Sequence, residues 1–178
     1  RLVGSEMCIR DRDNIILSKQ GYCQLDPEML LYTKDRDSIH LSEIKRKEYT
    51  LVLRYSTQCC STCVEDILRK MRKFEEQYPD IDILLFTTYR VQIEKKDFQR
   101  ICRFFPKVYN VFSLGIPLDE EVVPYLFVLD RGMRVIDTFI PDKDLPKLTN
   151  RYFERITTTL SRNKAYNCLL YTSDAADD

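Results

Sequence analysis

The chain has 178 residues, with 28 lysines and arginines against 28 aspartates and glutamates, seven cysteines, one histidine and no tryptophan. Balanced charge provides no electrostatic basis for binding nucleic acid or an anionic membrane, and no apolar run approaches the ~20 residues needed to cross a bilayer. The basic runs at Lys45–Lys47 and Arg69–Lys73 read as solvated faces.

Residues 1–12 (RLVGSEMCIRDR) and 168–178 (CLLYTSDAADD) carry no helix, strand or targeting pattern. MCIRDR and CLLYT can be encoded by complementary strands of one short DNA, and both ends look like translated sequencing-library adapters. They are set aside as non-native, together with Cys8 and Cys168. What remains, about 155 residues, is enough for one core and one domain. We expect residues 13–28 to be a lead-in, 29–162 the domain, and 163–178 a tail, adapter-like from 168. The reading frame is expected to be cut at both sides, with the true N-terminus outside the visible sequence.

Met29–Thr33 and Ser38–Leu41 read as short extended pieces around the polar turn Lys34-Asp35-Arg36-Asp37, and Leu41-Ser42-Glu43-Ile44 as a short helical turn. Tyr49–Tyr55 (YTLVLRY), with its apolar centre, predicts a central strand. Val64, Ile67, Leu68, Met71, Phe74 and Tyr78 recur at three and four, predicting an amphipathic helix that Pro79 ends. Ile81–Thr88 predicts a buried strand. Glu94–Phe105 predicts a helix with Phe98, Ile101, Cys102 and Phe105 inward, which makes Cys102 a core residue. Tyr125–Leu129 and Val135–Ile140 flank the turn Asp130-Arg131-Gly132 and predict a hairpin. A last helix is expected over Asp144–Leu160, with Leu145, Leu148, Tyr152, Ile156 and Leu160 inward and Pro146 in its first turn. Cys23 lies in a segment without a pattern. The order is hairpin, β, α, β, α, β, β, α. Its early βαβ requires parallel pairing, and its late hairpin makes the sheet mixed.

The chemistry concentrates in Cys59-Cys60-Ser61-Thr62-Cys63, where a strand stops and a helix starts. A thiol at a helix N-terminus faces unpaired N–H groups and the positive end of the helix dipole, and both favour the thiolate. A second thiol three residues on lies one turn away. Cys60 and Cys63 are therefore the expected pair, and thiol–disulfide exchange the expected reaction.

With these residues placed, the chain resembles the thioredoxin-like superfamily, in its TlpA/ResA and AhpC/TSA-related branch, over roughly residues 29–160. Leu41-Ser42-Glu43-Ile44 resembles the branch's lead-in, Cys60-Ser61-Thr62-Cys63 its CxxC and Val122–Val128 its proline-led strand. Asp130–Val135 resembles its Asp-x-x-Gly hairpin, with the Gly one position early. The resemblance implies an α/β fold, a three-layer α/β/α sandwich with a mixed central sheet and an N-terminal β-hairpin extension. It implies Cys60 as attacking thiolate, Cys63 as resolving thiol, a cis Pro124, and the Val123 backbone pairing with an extended substrate. Protein dithiols or disulfides and an upstream redox protein are the implied partners, without cofactor or metal. The implied setting is the outer face of a bacterial cytoplasmic membrane. The chain departs from the pattern where a tryptophan often precedes the first cysteine (Cys59 here) and where a buried acid stands six positions before it (Arg54 here).

Other readings of the same cysteines remain open. Thr57, three residues before Cys60, fits a peroxiredoxin site in which Arg54 or Arg131 would stabilise the thiolate, although Leu53 stands where that family has a proline. Cys59 and Cys63 have the CxxxC spacing of Sco-type copper carriers, whose soft thiolates suit Cu(I), but the single His40 lies upstream of the strand. A non-catalytic binding module is the third reading. Cys59 is the residue on which these readings divide.

Overall fold

The computed structural model describes residues 23–79, 81–89 and 94–158. Both adapter-like ends, the lead-in as far as Tyr22, and Leu160 lie outside the described residues. The chain forms two compact units, Arg1–Pro141 and Asp142–Asp178.

The first unit is built on one eight-stranded mixed sheet, in the order β1-β8-β7-β4-β5-β6-β2-β3. The strands are β1 (Cys23–Gln24), β2 (Leu30–Tyr32), β3 (Ser38–His40), β4 (Tyr49–Ser56), β5 (Asp82–Thr88), β6 (Val108–Asn110), β7 (Tyr125–Asp130) and β8 (Arg134–Phe139). Leu51, Val52 and Leu53 of β4 are fully buried, as a strand covered on both faces requires. β4 pairs in parallel with β5 and antiparallel with β7. This is the mixed sheet expected from the sequence.

Helix α1 (Ser61–Gln77) crosses between β4 and β5 and buries Val64, Ile67, Met71 and Phe74. Tyr78 departs from the expected inward face. It is the C-cap and is exposed, its ring resting 4.9 Å from that of Phe74. Helix α2 (Lys95–Phe104) is stopped as Phe105 turns extended before Pro106. Phe98 and Phe105 are buried. Cys102 is not fully in the core as expected but half-buried, and burial raises its thiol pKa.

The N-terminal hairpin β2–β3 is present in register Leu31↔Ile39, and its turn places Arg36 in the left-handed region at φ 74°. A 3-10 turn, Leu41–Glu43, follows it. The β7–β8 hairpin is closed by Asp130, whose carboxylate accepts the Arg134 N–H and Nε–H at 2.9 and 2.7 Å. One continuous core joins Leu31, Leu41, Val52, Leu84, Phe86, Leu118 and Phe127.

In the second unit a helix, α3, covers 146–158. Pro146 opens it, as its missing N–H allows at that position. Thr149, Tyr152 and Ile156 are buried, whereas Leu148, expected inward, is 39% exposed. Spacing explains the difference: 149, 152 and 156 form one face at intervals of three and four, and Leu148 sits off it.

Candidate functional site

β4 delivers the chain to the cysteines, and a few backbone bonds set the turn. The Thr57 N–H donates to the Thr88 carbonyl at 3.2 Å, which ties the exit of β4 to the end of β5. The Cys59 N–H donates to the Ser56 carbonyl at 3.1 Å, and the Val64 N–H closes the first helical turn on the Cys60 carbonyl at 3.0 Å. Cys60 is thereby the N-cap of α1, with non-helical backbone (φ −55°, ψ 116°).

The three thiols meet different surroundings. Cys60 is exposed, Cys63 half-buried and Cys59 buried. The Cys60 Sγ lies 3.1 Å from the Thr62 hydroxyl. That hydrogen bond, followed by those from the Cys63 backbone and thiol, lowers the Cys60 thiol to about 7. Donors that favour the charged form are what a thiol at a helix start is expected to find. The Cys59 Sγ instead turns inward and accepts the Ser56 N–H at 3.3 Å, with the Ser56 hydroxyl at 3.6 Å. Cys60 is presented to solvent, and Cys59 is packed like a small hydrophobe.

Arg54 lies on β4, six residues before Cys60, and is buried. Its Nε donates to Asp119 Oδ1 at 2.9 Å, Nη1 to the Tyr55 carbonyl at 3.2 Å and Nη2 to the Phe112 carbonyl at 3.0 Å. Asp119 comes from a 3-10 helix, Pro117–Glu121. It also accepts the Tyr125 hydroxyl at 2.8 Å, the Ser113 hydroxyl at 2.9 Å and the Leu114 N–H. Burial alone would raise this carboxyl. The Arg54 charge and the hydrogen bonds from Arg54, Leu114 and Tyr125 outweigh it, so Asp119 is held below the usual carboxylate range. Burial, and then the Asp119 charge, push the Tyr125 phenol up. This clasp fastens the 111–122 segment to the end of β4.

β7 starts immediately after the clasp, where Tyr125 pairs with Arg54. Val123 and Pro124 therefore lie at the end of β4 that carries the cysteines, Pro124 buried and Val123 half-buried. The expected cis bond at Pro124 is corrected here: no cis peptide occurs among the described residues. Trans is the favoured isomer, and the change of chain direction falls instead on Val122, in the left-handed region at φ 53°, ψ 37°.

Neither arginine offered as a thiolate partner serves Cys60. Arg54 is committed to Asp119 and two carbonyls. Arg131 follows Asp130, which pairs with Tyr49 at the opposite end of β4. With ~3.3 Å per strand residue, that end is more than about 20 Å from the cysteines. Thr57 is exposed beside the turn. His40 lies in β3, its Nδ1 2.9 Å from the Glu28 carbonyl, a contact that raises its pKa. No group of three or more His, Cys, Asp or Glu able to hold a metal occurs among the described residues.

Two contributors are not apparent from the sequence. Thr62 reads there only as a spacer inside the CxxC. Asp119 sits far from the cysteines in an irregular stretch, where Pro117 at a 3-10 start is its only local signal.

No family model matches the chain, and no curated protein matches it. Among solved structures, a thiol peroxidase from Chromobacterium violaceum is similar at TM-score 0.52 and 13% identity, over 79% of this chain and 86% of its own. An uncharacterized conserved protein from Geobacillus kaustophilus is similar at TM-score 0.52 and 12% identity, over 68% of this chain and 69% of its own. A domain of a "possible thiol-disulfide isomerase" from Cytophaga hutchinsonii covers 76% of this chain and 95% of its own, at TM-score 0.49 and 16% identity. At such identities the likeness is one of fold, and the fold is thioredoxin-like mixed α/β.

Proposed function

We propose that the chain is a thiol–disulfide oxidoreductase acting on protein dithiols and disulfides through Cys60 and Cys63. One observation carries the reading: an exposed thiol, lowered to about 7, caps the helix that bears a second thiol one turn on. Such a group is about half thiolate near neutral pH, and thiolate is the attacking form.

In the reducing direction the Cys60 thiolate attacks one sulfur of a substrate disulfide. The substrate S–S bond breaks, a Cys60–substrate mixed disulfide forms, and the other substrate sulfur leaves as thiolate. Cys63, deprotonated in turn, attacks Cys60 Sγ and releases the second substrate sulfur. Two electrons have then passed to the substrate, and the chain holds a Cys60–Cys63 disulfide, which a partner protein dithiol would reduce. Run backwards, the same steps oxidise a dithiol. Val123 and Pro124 border this site and are proposed to present backbone to an extended substrate. We assign the chain to the TlpA/ResA-like branch and to an extracytoplasmic bacterial setting.

Thiol trapping with mass spectrometry across a glutathione redox series tests the reading. The expected result is a reversible Cys60–Cys63 disulfide in the wild type, and a trapped mixed disulfide on Cys60 in Cys63→Ser. Cys60→Ser should lose exchange altogether. If no Cys60–Cys63 bond forms at any poise, the reading is wrong. Cys60-dependent consumption of hydrogen peroxide without that bond would redirect it to a thiol peroxidase.

A further inference from the structure

A cleft of about 840 Å³ opens beside the cysteine turn, at the carboxyl ends of β4, β5 and β6. Its floor is polar, but the polar groups are already satisfied. The Asn110 carboxamide accepts the Tyr89 N–H at 2.7 Å and donates to the Tyr89 carbonyl at 3.1 Å. The Thr88 hydroxyl donates to the Val111 carbonyl at 2.7 Å. Arg54 and Asp119 bind each other and their neighbours, with side chains only 5% and 9% exposed. A polar ligand would find few open partners at the bottom of this cleft.

The rim is different. Phe112 is 79% exposed, Val122 42% and Tyr32 37%, so three apolar side chains face water around one mouth. Such clustering marks a surface that other apolar groups cover. The rim is also held in place. Arg54 Nη2 binds the Phe112 carbonyl, and Val122 directly follows the 3-10 helix that supplies Asp119, in a left-handed conformation strained for a β-branched residue. The exposed guanidinium of Arg36 lines the same cleft and makes no hydrogen bond or ion pair among the described residues.

Ser56, Thr57 and Gln58 form the wall toward the thiols, and Cys60 comes two residues after Gln58. Two extended residues reach about 7 Å. A polypeptide whose cysteine meets Cys60 would therefore carry its flanking side chains over the cleft.

We propose that the cleft is a specificity subsite that seats an apolar, preferentially aromatic, side chain close to the reacting cysteine of a polypeptide substrate, with Arg36 favouring an acidic residue beside it. This rests on the Cys60–Cys63 redox reading and names the class of polypeptide that reading serves.

The test uses disulfide-linked peptides of equal charge that differ only in Phe or Ala two residues from the cysteine. The rate at which each peptide disulfide is consumed through Cys60 is followed by acid quench and mass spectrometry. The wild type is expected to react about tenfold faster with the Phe peptide, the discrimination an apolar pocket gives. Phe112→Ala should shrink that ratio to about twofold or less, and Phe112→Leu should keep most of it. Both substitutions fall on an exposed side chain. Equal rates of the wild type with both peptides, or an undiminished preference in Phe112→Ala, overturn the subsite while leaving the redox reading intact. Failure of Cys60 to react with either peptide overturns the redox reading and the subsite with it.

Discussion

At the carboxyl end of β4 the cysteine turn and the Arg54–Asp119 clasp lie a few residues apart, yet they are bonded in opposite ways. Arg54 is buried, Asp119 is half-buried with its side chain 9% exposed, and each makes several hydrogen bonds, so that neither charge is left without a partner. Cys60 is exposed and is tuned by a hydroxyl and by the groups of Cys63 rather than by any full charge. A buried charge is tolerable only when it is paired and hydrogen-bonded. A nucleophile needs its ionised form favoured while its approach stays open. The clasp therefore serves as a fixed wall, and the turn serves as the reactive edge held beside it.

The largest way to break this contrast is Asp119→Asn. It leaves the Arg54 charge buried without its counter-ion and is expected to cost about 3–5 kcal/mol in urea unfolding. An Arg54→Met, Asp119→Leu double variant should recover most of that loss, because an apolar pair of similar volume carries no desolvation penalty. Wild-type stability in Asp119→Asn would show the clasp to be inert. The sign of the pH dependence follows from a carboxyl held below its usual range. Its contribution is fully present above the unfolded value, about 3.9, and is lost as pH falls through the lower folded value. Between about pH 5 and 8 the clasp should not respond to pH.

Removing the hydroxyl next to Cys60 sharpens the other half of the comparison. Thr62→Val takes away the largest cause of the shift and should move the alkylation midpoint up from about 7. The move should be about one pH unit, toward the ~8.5 of a free thiol. The thiolate is the reactive form, so the variant should react more slowly below its new midpoint and converge with the wild type at high pH. An unmoved midpoint would mean that Thr62 does not donate to Cys60.

The smallest effect separates the neighbouring thiols. Cys59→Ala removes a buried sulfur that accepts the Ser56 N–H and should cost about 1 kcal/mol. Cys60→Ala, at an exposed position, should change stability by less than about 0.5 kcal/mol. Equal costs in urea would remove the distinction drawn between the two residues.

Legibility in the sequence follows the length and regularity of each element. β4, β5, α1 and the β7–β8 hairpin carry sustained apolar patterns, and each appears within a residue or two of its expected limits. β1, β6 and the 3-10 helix Pro117–Glu121 are two to five residues long, too short for any period to show. Cys23, which carries no pattern, turns out to pair with Val135 at the edge of the sheet. The site divides in the same manner. Cys60 and Cys63 are recognisable because their chemistry is local, a thiol pair at a helix start. Asp119 meets Arg54 across 65 positions, a contact that no short-range spacing encodes. The trans bond at Pro124 belongs to this second group, since the turn it was expected to make is made by Val122.

Local chemistry was enough to determine the α/β character, the central strand and the placing of Cys60 at the start of α1. Those features depend on periodicity and capping within one turn of the chain. Tertiary contact alone decided that Arg54 turns away from the thiols to Asp119, that Cys59 packs inward while Cys60 faces out, and that an aromatic-rimmed cleft stands next to them. Each of these outcomes depends on which distant groups share a buried space. That is set when the 111–122 segment closes over the end of β4, not by any run of residues read alone.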